Sequence, residues 1–304
     1  MTRQRILYGI FLTIAYMVAI VPLWIHYIVS DAVSWIALKL RLYRYKVIYG
    51  NLRKAFPEKD ERWTRSVIRE YYRHLLDCTF ETFKLLTISD KALDRRVKVE
   101  GIETMRPAVE AGKPIILYMG HVGNWEWVPA ITHHYTRPEV SAQIFRHIKN
   151  PVANAITMKI RSRFGALNIP QQQAFRTLLR LKQEGKQTIT GFIADQRPNG
   201  VNLNNWITFL NQDTPYAVGG EEIGRRIDAA YIYLDIEKTG RGHYRLTMRP
   251  IEPADGYDYP YTAAFMGMLE QTIRRQPPYW LWSHKRWSIQ RQHSIDNDKT
   301  SQQQ

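Results

Sequence analysis

Cysteine is nearly absent: Cys78 stands alone among 304 residues. A single thiol excludes an intramolecular disulfide framework and fits a catalytic domain in a reducing compartment. Its setting, Leu75-Leu76-Asp77-Cys78-Thr79-Phe80, reads as a helix core position and not as a nucleophile. Acid is also scarce, with 28 Asp and Glu against 43 Lys and Arg, a net charge of +15. That imbalance calls for an acidic partner: nucleic acid, anionic lipid, a phosphorylated substrate or an acidic carrier protein. The deficit is sharpest from Val140 to Gln183, which holds no acid but eight cations, Arg146, Lys149, Lys159, Arg161, Arg163, Arg176, Arg180 and Lys182. Repeats and low-complexity domains are missing, and a hydrophobic content of 44% excludes global disorder.

One long apolar run is present. Ile6 to Val29 has no charged side chain and is interrupted only by Pro22 and His26. As one helix it would be about 36 Å long against a bilayer core of about 30 Å, which predicts a membrane anchor over residues 1–30. Arg3 and Arg5 precede it; Lys39, Arg41, Arg44 and Lys46 follow, leaning toward a cytoplasmic main domain. The same charges, with Trp35, Tyr43, Tyr45 and Tyr49, also suit an amphipathic segment lying in an anionic membrane surface.

The remaining chain alternates. Asn51 to Pro57 reads as a break, and Asp60 to Leu86 as an amphipathic helix. Strands are predicted at Arg96–Glu100, Ile115–Met119, Val140–Phe145, Ala166–Ile169, Thr188–Ala194 and Ala229–Glu237. Helical segments fall between them, including Trp125–Tyr135, Asn150–Phe164, Gln172–Glu184 and Glu221–Ile227. Such an order predicts an α/β fold, a mixed, largely parallel sheet flanked by helices, over residues 31–290. The polar, glutamine-rich stretch 291–304 is predicted to be a flexible tail.

The chemistry centres on Lys113 to Trp127. The buried-strand pattern Ile115–Met119 runs into a turn bracketed by Gly120 and Gly123, with Asn124 a plausible helix N-cap. His121 and Glu126 are its proton-transfer groups. On a regular helix five positions would set them roughly 140° apart, so they meet only if His121 sits in the turn and Glu126 reaches back. That predicts a histidine oriented by Glu126 and taking a proton from a hydroxyl. Metalloprotease zinc spacing is not present. A second block, Gly191 to Pro198, ends an apolar strand in Asp195-Gln196-Arg197, where open α/β sheets bind ligands. Arg146, just past the strand Val140–Phe145, is the cation placed to enter the site. A third block, Pro277 to Trp287, sets three tryptophans beside His284-Lys285-Arg286, a mixture suited to lipid headgroups or to stacking on bases.

Together the apolar N-terminus, His121-Val-Gly-Asn-Trp-Glu126, Ile193-Ala-Asp-Gln-Arg197 and Tyr279-Trp-Leu-Trp-Ser-His-Lys-Arg-Trp287 resemble the bacterial lipid A biosynthesis (late) acyltransferases. The His-x4-acid motif alone is shared with the wider glycerolipid acyltransferase superfamily. The resemblance implies transfer of a fatty acyl chain from acyl carrier protein, or less often coenzyme A, to a hydroxyl of a lipid A precursor. It places the catalytic domain at the cytoplasmic face of a bacterial inner membrane, with no bound cofactor or metal. By motif position His121 is the implied base and Glu126 its partner; Asn124, Arg146, Asp195 and Arg197 are implied substrate-binding residues. An aminolipid or another glycolipid as acceptor keeps the same chemistry. A membrane-tethered binder of nucleic acid or anionic lipid has the charge in its favour but no recognised nucleic-acid motif, so no nucleic-acid partner is expected.

Overall fold

A computed structural model describes residues 3–198 and 203–291. Its strands are β1 (Val97–Glu100), β2 (Ile115–Met119), β3 (Val140–Phe145), β4 (Leu167–Pro170), β5 (Thr188–Ile193), β6 (Trp206–Phe209), β7 (Gln212–Pro215), β8 (Ala230–Gly240) and β9 (His243–Pro250). Seven of them form one sheet in the order β1-β9-β8-β2-β5-β3-β4, parallel except for the antiparallel pair β8–β9. A separate β6–β7 hairpin lies outside it. The mixed, mostly parallel α/β fold read from the sequence is therefore the fold observed. Its central strand is β2, buried at every residue, as a run without polar interruption requires of a strand covered on both faces.

Side chains of β2 alternate between two cores. Ile116 and Tyr118 face one cluster with Phe265, Met266 and Leu269, while Ile115, Leu117 and Met119 face another with Trp127 and Ile131. The helices are α1 (Arg3–Ile20), α2 (Leu23–Lys39), α3 (Tyr45–Ala55), α4 (Glu61–Lys84), α5 (Asp90–Asp94), α6 (Arg106–Glu110), α7 (Pro151–Arg161), α8 (Ala174–Gln183), α9 (Gly219–Ile227) and α10 (Pro260–Arg275). Asn51–Ala55, read as a break, instead closes α3; the interruption begins only at Phe56-Pro57. The expected helix over Trp125–Tyr135 is a 3-10 helix, Trp125–His134, because Pro129 inside it has no N–H to donate. The predicted tail beyond Arg291 lies outside the described residues.

The single apolar helix expected over Ile6–Val29 is two helices, α1 and α2, meeting at 105°. The break is at Val21-Pro22, where proline starts α2 and ends the hydrogen-bond ladder of α1. Carbonyls freed at the end of α1 find a cation: Lys84 Nζ donates to Ala19 O at 2.8 Å and Val21 O at 3.1 Å, and Thr87 Oγ1 to Ala19 O at 2.6 Å. Among the described residues no single helix is long and apolar enough to cross a membrane. The outward faces of α1 and α2 are nonetheless apolar, with Ile10, Met17, Trp24, Ile28 and Trp35 exposed.

A buried polar network ties this helix pair to the sheet. Glu81 of α4 accepts from Tyr27 of α2 at 3.0 Å, from Asn124 Nδ2 at 2.8 Å and from Tyr244 of β9 at 2.8 Å. Arg241, in the β8–β9 turn, bridges Asp31 of α2 and Asp77 of α4 at 2.8–3.0 Å. Burial raises the Glu81 carboxyl above its ordinary range, and the donors from Asn124 and Tyr244 work against that rise. Glu81→Ala strands three buried donors and is expected to cost about 3 kcal/mol or more. Glu81→Gln keeps an acceptor oxygen and costs less than half as much. Thermal unfolding followed by circular dichroism reads both; an unchanged Tm in Glu81→Ala contradicts the role given to this network.

Candidate active site

Parallel register builds the site. Met119 of β2 lies opposite Ile193 of β5, so the residues two positions past each strand end, His121 and Asp195, emerge side by side. His121 Nδ1 stands 2.6 Å from Asp195 Oδ1, and the His121 backbone N–H donates to Oδ2 at 2.8 Å. Trp280 Nε1 donates to the same Oδ2 at 2.8 Å. An ionised carboxylate only accepts, so Nδ1 carries the proton and Nε2 keeps its lone pair. Gln196 Nε2 lies 3.2 Å from that Nε2 as its amide donor.

Asp195 is 1% exposed and His121 side-chain exposure is 16%. Burial alone would raise the Asp195 carboxyl, but the neighbouring His121, its two hydrogen bonds and the one from Trp280 outweigh this and lower it to about 2. The Trp125 ring meets His121 edge-on, with centroids 4.9 Å apart.

The turn between β2 and the 3-10 helix is held from several sides. Gly123 has φ +56, and a Cβ there would stand 2.8 Å from Ile236 Cγ2, so glycine answers both backbone and space. Its N–H donates to Tyr279 O at 2.9 Å, and Leu281 N–H donates to His121 O at 3.1 Å. The C-terminal block thus packs along the His121 turn instead of facing lipid headgroups. Trp280 and Trp282 are buried, and Arg286 is fully buried with Nη2 on Pro215 O at 2.7 Å. Burial lowers Arg286 to about 10, opposed by the Asp195 charge, and lowers His284 to about 4.

Glu126 does not orient His121. Its carboxylate makes a two-point ion pair with Arg161 at the end of α7, Nε to Oε2 at 2.8 Å and a second contact from Nη2 to Oε1. The orienting role expected of Glu126 falls to Asp195, because the strand register brings that residue, from 74 positions away, against the ring. Asn124, expected to bind substrate, is buried and committed to the turn: it donates to Glu81, and its Oδ1 accepts the Glu126 N–H at 3.3 Å. Arg146 does not enter the site; it is exposed at the end of β3, with its guanidinium on Gln171 Oε1. Arg197 is exposed and donates to Ser288 Oγ at 2.8 Å. Of the eight cations in the acid-free stretch, Arg161 is the one beside the motif.

Two apolar clefts adjoin the motif and share Trp125, Glu126 and Arg161 in their walls. The wider, about 1520 Å³ including its mouth, lies between α1, α4 and α7. The narrower, about 650 Å³ likewise including its mouth, lies between the 3-10 helix and the sheet face of β2, β3 and β5. Among the described residues no three His, Cys, Asp or Glu side chains stand together as metal ligands.

Fold and site define a class: an α/β protein with a histidine held by a buried carboxylate at the carboxyl ends of parallel strands, bordered by two apolar clefts. The chain belongs to the bacterial lipid A biosynthesis acyltransferase family, whose model matches residues 2–288. It is accordingly an acyltransferase acting on lipid. Among solved structures it is similar to the 1-acyl-sn-glycerophosphate acyltransferase PlsC from Thermotoga maritima, with 14% identity over 83% of this chain and 95% of that one and a TM-score of 0.34. A search of curated proteins finds no match.

Asp195→Asn leaves the packing in place and disturbs the tautomer of His121. It is expected to lower kcat by about 10²- to 10⁴-fold. The same carboxylate contributes to stability. Its folded pKa lies below the ordinary 3.8, so that contribution is present above pH about 4 and is lost as pH falls through about 2. Denaturant titrations from pH 5 to 2 should therefore fall less steeply in Asp195→Asn than in the parent; matching slopes contradict the assignment.

Proposed function

We propose that the chain transfers a fatty acyl group from acyl carrier protein to a hydroxyl of a lipid A precursor at the cytoplasmic face of the bacterial inner membrane. The observation that carries this reading is the Asp195–His121 pair, whose Nδ1 is held by the carboxylate and whose ring meets Trp125, a wall residue of both apolar clefts. His121 Nε2 takes the proton of the acceptor hydroxyl as its oxygen attacks the thioester carbonyl carbon. The tetrahedral oxyanion collapses, the C–S bond breaks, and the imidazolium returns the proton to the departing thiolate. Asp195 holds the ring and balances its charge during the cycle. No protein nucleophile is needed, consistent with Cys78 being buried and its thiol pushed well up by desolvation.

Glu126 and Arg161 form the polar wall where the two clefts meet, and in this reading they set the headgroup against the base. Arg146 and Arg197 belong to the exposed basic rim, which suits a phosphorylated lipid and an acidic carrier. The bent α1–α2 pair supports seating in one leaflet: its outward side is apolar, and Lys39 lies over Trp35 at 5.0 Å from the ring centroid, an interfacial pairing. The wider cleft opens beside α1, where a lipid with several chains would enter from the membrane.

The test incubates the purified full chain with acyl carrier protein thioesters of eight to sixteen carbons and, in separate arms, a lipid A precursor and an ornithine-type aminolipid. Mass spectrometry should find one added acyl chain on the lipid A precursor and none with His121→Ala. Acylation of the aminolipid alone would move the acceptor. Transfer to neither lipid, or full activity in folded His121→Ala, would defeat the proposal.

A further inference from the structure

Gly191 breaks the usual rules for a buried strand. It lies midway along β5, paired with Leu117 of β2 and Gln143 of β3 in the interior of the sheet. Glycine there costs about 0.5–1 kcal/mol relative to alanine. Its backbone is not left-handed, so conformation does not demand it. Glycine within a strand otherwise marks close approach by something else.

Space is what its absent side chain provides. Ile189, Gly191 and Ile193 lie in one row along the wall of the narrower cleft, and a Cβ at 191 would stand 3.1 Å from Met119 Cε, which lines the same wall. Polar groups along this cleft are already satisfied. Tyr135 OH and Ser141 Oγ pair at 2.7 Å, Thr132 Oγ1 donates to Pro129 O at 2.9 Å, and Gln143 Nε2 to Asn168 Oδ1 at 2.6 Å. The cleft therefore asks for an apolar occupant. It starts beside Trp125, whose ring touches His121, and runs down the sheet toward the amino ends of β3 and β5.

We propose that this cleft is the site for the acyl chain of the donor thioester, and that Gly191 sets the chain length it accepts. The inference rests on the acyl-transfer reading above. From Ile193 to Ile189 is four residues, about 13 Å of strand. An extended hydrocarbon with C–C bonds of about 1.5 Å advances about 1.25 Å per carbon, which corresponds to about ten carbons. With the carboxyl end at His121, the favoured donor is a single saturated chain of about ten to twelve carbons. The wider cleft, more than twice as large, is left for the acceptor lipid.

The experiment competes acyl carrier protein thioesters of eight to sixteen carbons on the parent, Gly191→Ala, Gly191→Val and Ile189→Ala, with a lipid A precursor as acceptor and products sorted by mass. A side chain halfway down the cleft excludes about four methylenes. Gly191→Val should therefore move the twelve-to-eight-carbon ratio of kcat/KM about a hundredfold toward the shorter donor. Gly191→Ala should move it less in the same direction, and Ile189→Ala, which opens the far end, should favour longer donors. Unchanged ratios in the folded Gly191→Ala and Ile189→Ala variants, or losses equal at every length, overturn the proposal whether or not Gly191→Val folds. If the parent transfers to no lipid, the acyl-transfer reading fails; direct binding of the same thioesters, ranked by length across the variants, then still decides the cleft.

Discussion

The buried Asp195 carboxylate is the constraint on which the site depends. A charge taken out of water at the end of β5 is tolerable only where donors surround it, and its three donors come from two separate parts of the chain. The His121 ring and backbone N–H arrive from the β2 turn, and Trp280 arrives from the C-terminal block. Satisfying the carboxylate therefore fixes the imidazole, the turn and the C-terminal block together. The same arrangement leaves Nε2 as the unprotonated ring nitrogen of His121, with the Gln196 amide 3.2 Å away.

Around this pair the structure connects an apolar surface to a polar reaction centre. Glu81 links Tyr27 of α2 to Asn124 of the His121 turn, so the helix pair and the motif share one buried carboxylate. Pro22 bends the N-terminal apolar run, and Lys84 satisfies the carbonyls at the bend. An outward apolar face and an inward cleft then belong to one element, α1, which supplies Leu7, Phe11 and Ile14 to the cleft wall. The Glu126–Arg161 ion pair stands where the two clefts meet, a polar group between two hydrocarbon spaces.

Much of the sheet was legible because it rests on local pattern. The unbroken apolar run Ile115–Met119 could only be a covered strand, and Val140–Phe145 appears with the bounds its sequence suggests. His121 in a glycine-bracketed turn and Asp195 at a strand end were both readable as site residues. Their partnership was not, because it is set by the β2–β5 register, a contact across 74 positions that leaves no local trace. Arg161 was hidden among eight cations with no acid to distinguish them. Strand β9 was missed because Arg245 and Arg249 break its apolar character, although each finds a carboxylate, Glu237 and Asp235. Trp280, Trp282 and Arg286 looked like a wet aromatic surface; tertiary packing buries all three, one of them on the Asp195 carboxylate.

The most direct test of the account is the proton between His121 and Asp195. With the histidines labelled with ¹⁵N, proton NMR of the full chain in detergent micelles should show a strongly downfield Nδ1–H resonance assigned to His121. The account predicts that it disappears in Asp195→Asn and persists in Glu126→Gln. A resonance that survives Asp195→Asn but is lost in Glu126→Gln would return the orienting role to Glu126 and contradict the account.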